Sequence, residues 1–140
     1  MRQKLNLITL GVSDLARSAA FYEGLGWKRS SASMDEIIFF QLGGIIMSLY
    51  SRASLADDVT ISPEGSGFEG FTLSFNATSE AEVNEVMAEV EALGATIVKQ
   101  AQKVFWGGYS GYFKDPDGHL IEVAYNPFWE MDEQGNVLLP

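Results

Sequence analysis

An α+β fold made of two βαβββ units is expected from three observations. The order strand–helix–strand–strand–strand occurs twice, over roughly 5–50 and 70–125. Each copy has one amphipathic helix that ends at a Leu-Gly pair, Leu25-Gly26 and Leu93-Gly94. Each copy then closes on two short apolar strands joined by a glycine turn. Helices cover one face of such a unit. Its other face must curl around a cavity or a second unit, because a single unit cannot bury both.

In chain order, LNLITLGV at 5–12 is loosely alternating and rich in branched side chains, as in a strand. Ser13 stands where an N-cap belongs, with Asp14 in the first helical turn. The helix carries Leu15, Ala19, Tyr22 and Leu25 on one face, and Gly26 ends it. A short strand is expected over 27–31. Residues 36–42 and 45–50 are strands around Gly43-Gly44, a pair suited to a primed hairpin turn, which sets Phe40 opposite Met47. Residues 51–69 are a linker, with a turn of helix expected near 54–58.

The second unit begins with a strand over 70–77. Ser79-Glu80-Ala81-Glu82 is a capping box, and Val83, Val86, Met87, Val90 and Leu93 form the apolar face of the helix behind it. Strands follow at 95–99, 109–113 and 119–125. A type I turn at Asp115–Gly118, with Gly118 in a bulge, pairs Asp115 with His119 and so sets Tyr112 opposite Glu122 and Phe113 opposite Ile121. The tail has a hairpin-like Gln134-Gly135-Asn136, and its Phe128, Trp129, Leu138 and Leu139 are suited to closing a cavity or to a dimer contact. The two copies align LITLGVSD with TLSFNATS, and GIIMSLY with HLIEVAY. Phe40 and Met47 are thereby equated with Tyr112 and Glu122.

Composition narrows the function. The 140 residues are 46% hydrophobic and 20% charged, as in a globular protein. No cysteine is present, which excludes thiolate ligands, disulfides and a cysteine nucleophile. Nine basic and 19 acidic residues give a net charge of −10, so nucleic acid is not an expected partner. No apolar run nears the roughly 20 residues of a membrane span, and the N-terminus lacks an apolar leader. No membrane partner and a cytoplasmic location are expected.

SDLARSAAFYEGLGW in the first copy and GYFKDPDGHLIEV in the second resemble the glyoxalase / bleomycin-resistance / extradiol-dioxygenase (vicinal oxygen chelate) superfamily. The resemblance spans 5–127. It implies tandem βαβββ modules forming a cupped eight-stranded mixed sheet with helices on the outer face, and a homodimer. The whole chain 1–140 is then one domain, with module one at 5–50, a linker at 51–69, module two at 70–127 and a tail at 128–140. It also implies that metal-binding members hold a divalent ion through His and Glu side chains on the first and last strands of each module. Those positions fall here on Leu7, Met47, Thr72 and Glu122. Leucine, a thioether and a neutral hydroxyl are poor partners for Zn²⁺ or Mn²⁺, so no metal and no cofactor are expected.

Strand parity gives the expected contents of the cup: Leu7, Ile38, Phe40, Met47, Leu49 and Thr72, with Trp106, Ser110, Tyr112 and Glu122. Of these, Leu7, Phe40, Met47, Thr72, Trp106, Ser110, Tyr112 and Glu122 are the candidate substrate-binding residues. Gly107, Gly108 and Gly111 are expected to leave space beside the aromatic rings. Glu122 has three readings: a relic ligand satisfied by Tyr112 or water, a general base, or an anchor for a cationic group. His119 reads as an exposed strand-start residue, and Asp115 and Asp117 as turn formers.

Two functions remain open. One is a metal-independent small-molecule binder of the bleomycin-resistance type, whose acidic balance would suit a cationic ligand. The other is a glyoxalase-like lyase or isomerase, with Glu122 as base or residual metal ligand and Tyr112 or Ser110 as oxyanion donor. An extradiol dioxygenase needs two histidines, and the chain has one.

Overall fold

A computed structural model describes residues 1, 3, 6–58, 60, 62–69 and 72–138. The expected strand residues Leu5, Gly70 and Phe71, and Leu139 of the tail, lie outside these. The chain divides into two compact units, Met1–Glu69 and Gly70–Pro140.

The first unit contains β1 (Leu7–Val12), α1 (Leu15–Gly24), β2 (Ile37–Leu42), β3 (Ile45–Ser51) and α2 (Arg52–Asp58). Its sheet has the order β1-β3-β2, with β1 parallel and β2 antiparallel to β3. Asp14, not Ser13, caps α1. Asp14 has the extended backbone of a cap and accepts the Arg17 N–H at 2.9 Å, while Ser13 Oγ accepts from the Arg17 guanidinium. Gly26 ends the helix at φ 85°, and positive φ falls on Gly43 alone in the hairpin pair, as in a type II′ turn.

The expected strand at 27–31 is reduced to one bridge, Arg29 to Phe40. Serines divert the backbone there: Ser30 Oγ accepts the Ala32 N–H and Ser33 Oγ accepts the Phe39 N–H. Among the described residues the main sheets of the two units have three and four strands.

The hairpin register sets Phe40 against Met47 and Ile38 against Leu49, as expected. The face these four occupy is not the one expected. Phe40 packs on Tyr22 and Trp27, with ring centroids 6.1 and 5.7 Å away. Ile38, Phe40, Met47 and Leu49 thus face α1, and all are at most 3% exposed. They form the core of the unit and not an open cup. The alignment of Met47 with Glu122 was one residue out of step, and one residue moves a strand side chain to the opposite face. Thr9 and Ser48 occupy the face away from α1, with their hydroxyls 2.7 Å apart. Leu7 shares the parity of Thr9 and is 43% exposed.

The second unit contains β4 (Leu73–Asn76), α3 (Glu80–Ala92), β5 (Thr96–Lys103), β6 (Tyr109–Lys114), β7 (Leu120–Tyr125) and the short pair β8 (Glu130–Met131) and β9 (Val137–Leu138). The larger sheet has the order β4-β7-β6-β5. Ser79 caps α3 by accepting the Glu82 N–H. The Glu82 carboxylate reaches past Ser79 to the hydroxyl and N–H of Thr78, both at 2.6 Å. Those bonds, the hydroxyl first, hold its carboxyl below the usual carboxylate range. Val83, Met87 and Val90 are buried against the sheet.

Two hairpins are built by one device. Asp115 accepts the Asp117 and His119 N–H groups, both at 2.9 Å, with Gly118 at φ 89°. Asp132 accepts those of Gln134 and Asn136, with Gly135 at φ 80°. The first turn gives the expected pairs, Tyr112 with Glu122 and Phe113 with Ile121.

β5 is longer than the expected 95–99 and has two register shifts against β6, between Ile97 and Lys99 and between Lys99 and Gln102. Gly111 lies opposite the irregular stretch. A Cβ there would be 3.0 Å from Ala101 N and Lys99 O and 2.9 Å from the Met87 methyl. Backbone atoms cannot yield as a flexible side-chain tip can. Gly111→Ala is therefore expected to lower stability by about 1–3 kcal/mol, read as a lower urea midpoint at unchanged slope. An unaltered midpoint would contradict this packing.

Candidate functional site

The face of the second sheet turned away from α3 carries two polar rows. Pairing across β5, β6, β7 and β4 aligns Lys99, Tyr112, Glu122 and Ser74. The next row is Gln102, Ser110, Ala124 and Asn76. Side chains paired across neighbouring strands share a face. Lys99 joins this face because of the first register shift. Ile97 pairs with the helix-facing Phe113, and regular alternation would send Lys99 the same way.

Beside these rows is a hollow of about 350 Å³, lined by Lys99, Gln102, Lys103, Val104, Phe105, Trp106, Ser110, Tyr112 and Glu122. A turn places Trp106: Gly107 N–H donates to Val104 O, and Val104 N–H to Gly108 O. The Trp106 ring lies over Gly108, where any Cβ would collide with it. Gly107 is similarly close to the Phe128 ring, at 2.9 Å from a would-be Cβ. Gly111 faces α3. The three glycines therefore do not leave open space beside the rings. Two admit a ring, and the third admits the neighbouring strand and helix.

Glu122 has partners on both sides. Its Oε2 accepts the Ser74 hydroxyl at 3.1 Å, and Tyr112 is its cross-strand neighbour. Burial first, then the hydrogen bond and charge of Glu122, push the Tyr112 phenol above its ordinary value of 10.0. A neutral phenol donating to a carboxylate is the arrangement this favours.

Of the eight candidate binding residues, the structure brings Trp106, Ser110, Tyr112 and Glu122 to one hollow. Thr72 is exposed just ahead of β4, outside that lining. Leu7, Phe40 and Met47 belong to the other unit. Lys99, Gln102 and Ser74 were missed. Ser74 lies two residues beyond Thr72, but only the β4–β7 register shows that it meets Glu122. His119 is half-buried rather than exposed, and its N–H is bound by Asp115.

The donor set does not fit a divalent metal. In the first unit the family's ligand positions carry Leu7 and, with the observed faces, Ser48 in place of Met47. In the second they carry Thr72 and Glu122, and one Glu122 oxygen already accepts from Ser74. Among the described residues no three His, Cys, Asp or Glu side chains cluster. Hydroxyls and a single carboxylate do not compete with water for such an ion.

The tail packs within the second unit. Trp129, Met131 and Val137 line a further hollow of about 240 Å³ with Asn76, Thr78 and Tyr125. Among the described residues no helix is long and apolar enough to cross a membrane.

The profile of the Glyoxalase/Bleomycin resistance protein/Dioxygenase superfamily matches residues 4–123, and the chain belongs to that family. It is similar to a glutathione transferase, FosA, of Serratia marcescens, with 30% identity over 124 residues, covering 88% of this chain and 81% of that protein. Among solved structures it resembles a glyoxalase-related enzyme from Fulvimarina pelagi, with 36% identity, 98% of each chain covered and a TM-score of 0.89. It also resembles the fosfomycin resistance protein FosX of Listeria monocytogenes, with 28% identity, 91% and 97% of the two chains covered and a TM-score of 0.70.

The raised Tyr112 pKa has a signed consequence for stability. As pH rises past about 10, an unfolded tyrosine releases its proton before the folded Tyr112 does. The native state then holds the extra proton, and stability falls with pH until the folded phenol also ionises. Tyr112→Phe is expected to flatten this alkaline decline in melting temperature. Superimposable alkaline profiles would show Tyr112 to be unburdened by Glu122.

Proposed function

We propose that the protein is a metal-independent binder of a small molecule, held against Trp106 and Tyr112 in the hollow of the second sheet. The observation that carries this reading is the convergence of Trp106, Ser110, Tyr112 and Glu122 on one hollow of about 350 Å³, a size in the range of small-ligand sites. The unsuitability of Leu7, Ser48 and Thr72 as metal donors supports the metal-independent part. The exposed Phe75, Phe105 and Phe128 rings of the same unit support a homodimer.

A second reading is supported by the Tyr112–Glu122 pair and by relatives named as transferases and a lyase. In it the protein is a glyoxalase-like lyase or isomerase on a small oxygenated substrate. Glu122 would take a proton, and Tyr112 or Ser110 would donate to the developing oxyanion. The Ser74 hydroxyl already occupies one Glu122 oxygen, so binding is preferred.

Melting curves with added Zn²⁺, Ni²⁺ or Mn²⁺ separate the readings. No rise is expected, because a site specific for one ion would stabilise the fold by mass action. A rise abolished by Glu122→Ala would sink the metal-independent reading. Ligand binding is expected to change tryptophan fluorescence in the natural protein and to leave Trp106→Phe silent. Turnover lost in Glu122→Gln while binding persists would favour the enzyme.

A further inference from the structure

We infer that the ligand of this hollow carries an oxyanion, a carboxylate or a group of like charge, on an aromatic or apolar body, and that Lys99 holds the anionic end. This rests on the hollow being the binding site. It reverses the cationic ligand that the overall charge of −10 suggests.

The reversal comes from counting which polar groups of the hollow are already engaged. Glu122 is the one carboxylate in the lining. Ser74 donates to it at 3.1 Å, and Tyr112 lies across from it on the neighbouring strand. The protein's own hydroxyls thus take up part of the accepting capacity of Glu122. Lys103 also lines the hollow, but its ammonium is paired with Glu80 of α3. Among the described residues no hydrogen bond or ion pair engages the Lys99 ammonium, the Gln102 side-chain amide or the Ser110 hydroxyl. The free capacity of the hollow is therefore weighted to donors: an ammonium, an amide and a hydroxyl.

Position supports the same assignment. Lys99 begins the row that continues through Tyr112 to Glu122. Gln102 and Ser110 pair in the adjoining row, on the side of Trp106. An oxyanion within reach of Lys99 and Gln102 leaves its apolar body against the Trp106 ring, which lies over Gly108. An ammonium placed there would meet Lys99, an unfavourable like-charge contact.

Three probes of similar shape test this: benzoate, benzyl alcohol and benzylamine, titrated by calorimetry and tryptophan fluorescence at low and high salt. Benzoate is expected to bind about tenfold more tightly than benzyl alcohol, with the advantage shrinking at high salt. Lys99→Gln is expected to abolish that advantage. Lys28→Gln, an equal change of charge at an exposed site of the other unit, should alter neither. Lys99 is exposed, so its replacement spares the fold. Tighter binding of benzylamine, or benzoate binding indifferent to Lys99→Gln, would overturn the oxyanion assignment and leave the binding site standing. Silence from all three probes would overturn both.

Discussion

The Asp115 carboxylate, 3% exposed, holds the N–H groups of Asp117 and His119, and the facing of every side chain in β6 and β7 follows from that turn. With Gly118 at positive φ, the hairpin closes at one register only. Tyr112 and Glu122 then share a face, while Phe113 and Ile121 turn toward α3. A shift of one residue would put the carboxylate into the helix-covered core and an isoleucine on the open face. The polar pair thus depends on a bond network several residues away from it.

The other half of the site depends on irregularity. β5 would be an ordinary edge strand if its alternation held, with Lys99 on the same side as Ile97. Its register shifts bring Lys99 and Gln102 beside Tyr112 and Ser110. Gly111 permits this, because the shifted backbone passes where a side chain on β6 would stand. One glycine thus links the packing of α3, through Met87, to the composition of the open face. The glycines near Trp106 act differently, admitting one ring over Gly108 and another beside Gly107.

Charge at the site and charge of the molecule are separate quantities. The chain is strongly acidic, and much of that excess lies on α3 and in loops, where it serves solubility. Within the hollow, Glu122 accepts from the Ser74 hydroxyl, and Lys99 lines the same space. What a ligand meets is set by the unengaged groups at short range, since exposed charges farther than about 10 Å are largely screened.

Much of the local structure was legible in the sequence. Helix ends at Gly26 and Gly94, the Asp115–Gly118 turn and the Tyr112–Glu122 pairing all follow from short-range rules of backbone geometry. The family motif around that turn likewise lies within one hairpin. Even the capping of α1 was misplaced by only one residue, between two side chains that can both do it. What local pattern could not supply was the side on which a strand meets its helix. Phe40 and Met47 were paired correctly yet assigned to the wrong face, because which face α1 covers is a packing outcome seen in the Tyr22–Trp27–Phe40 contacts. Ser74 and Lys99 were missed for a related reason. A parallel register between distant strands has no turn to set it, and a bulge leaves no reliable mark in composition. The sequence by itself determined the elements, their turns and the donor-poor ligand positions, since these depend on neighbours along the chain. The tertiary structure alone decided which side chains surround the hollow, since that depends on how distant strands pair and which face the helices cover.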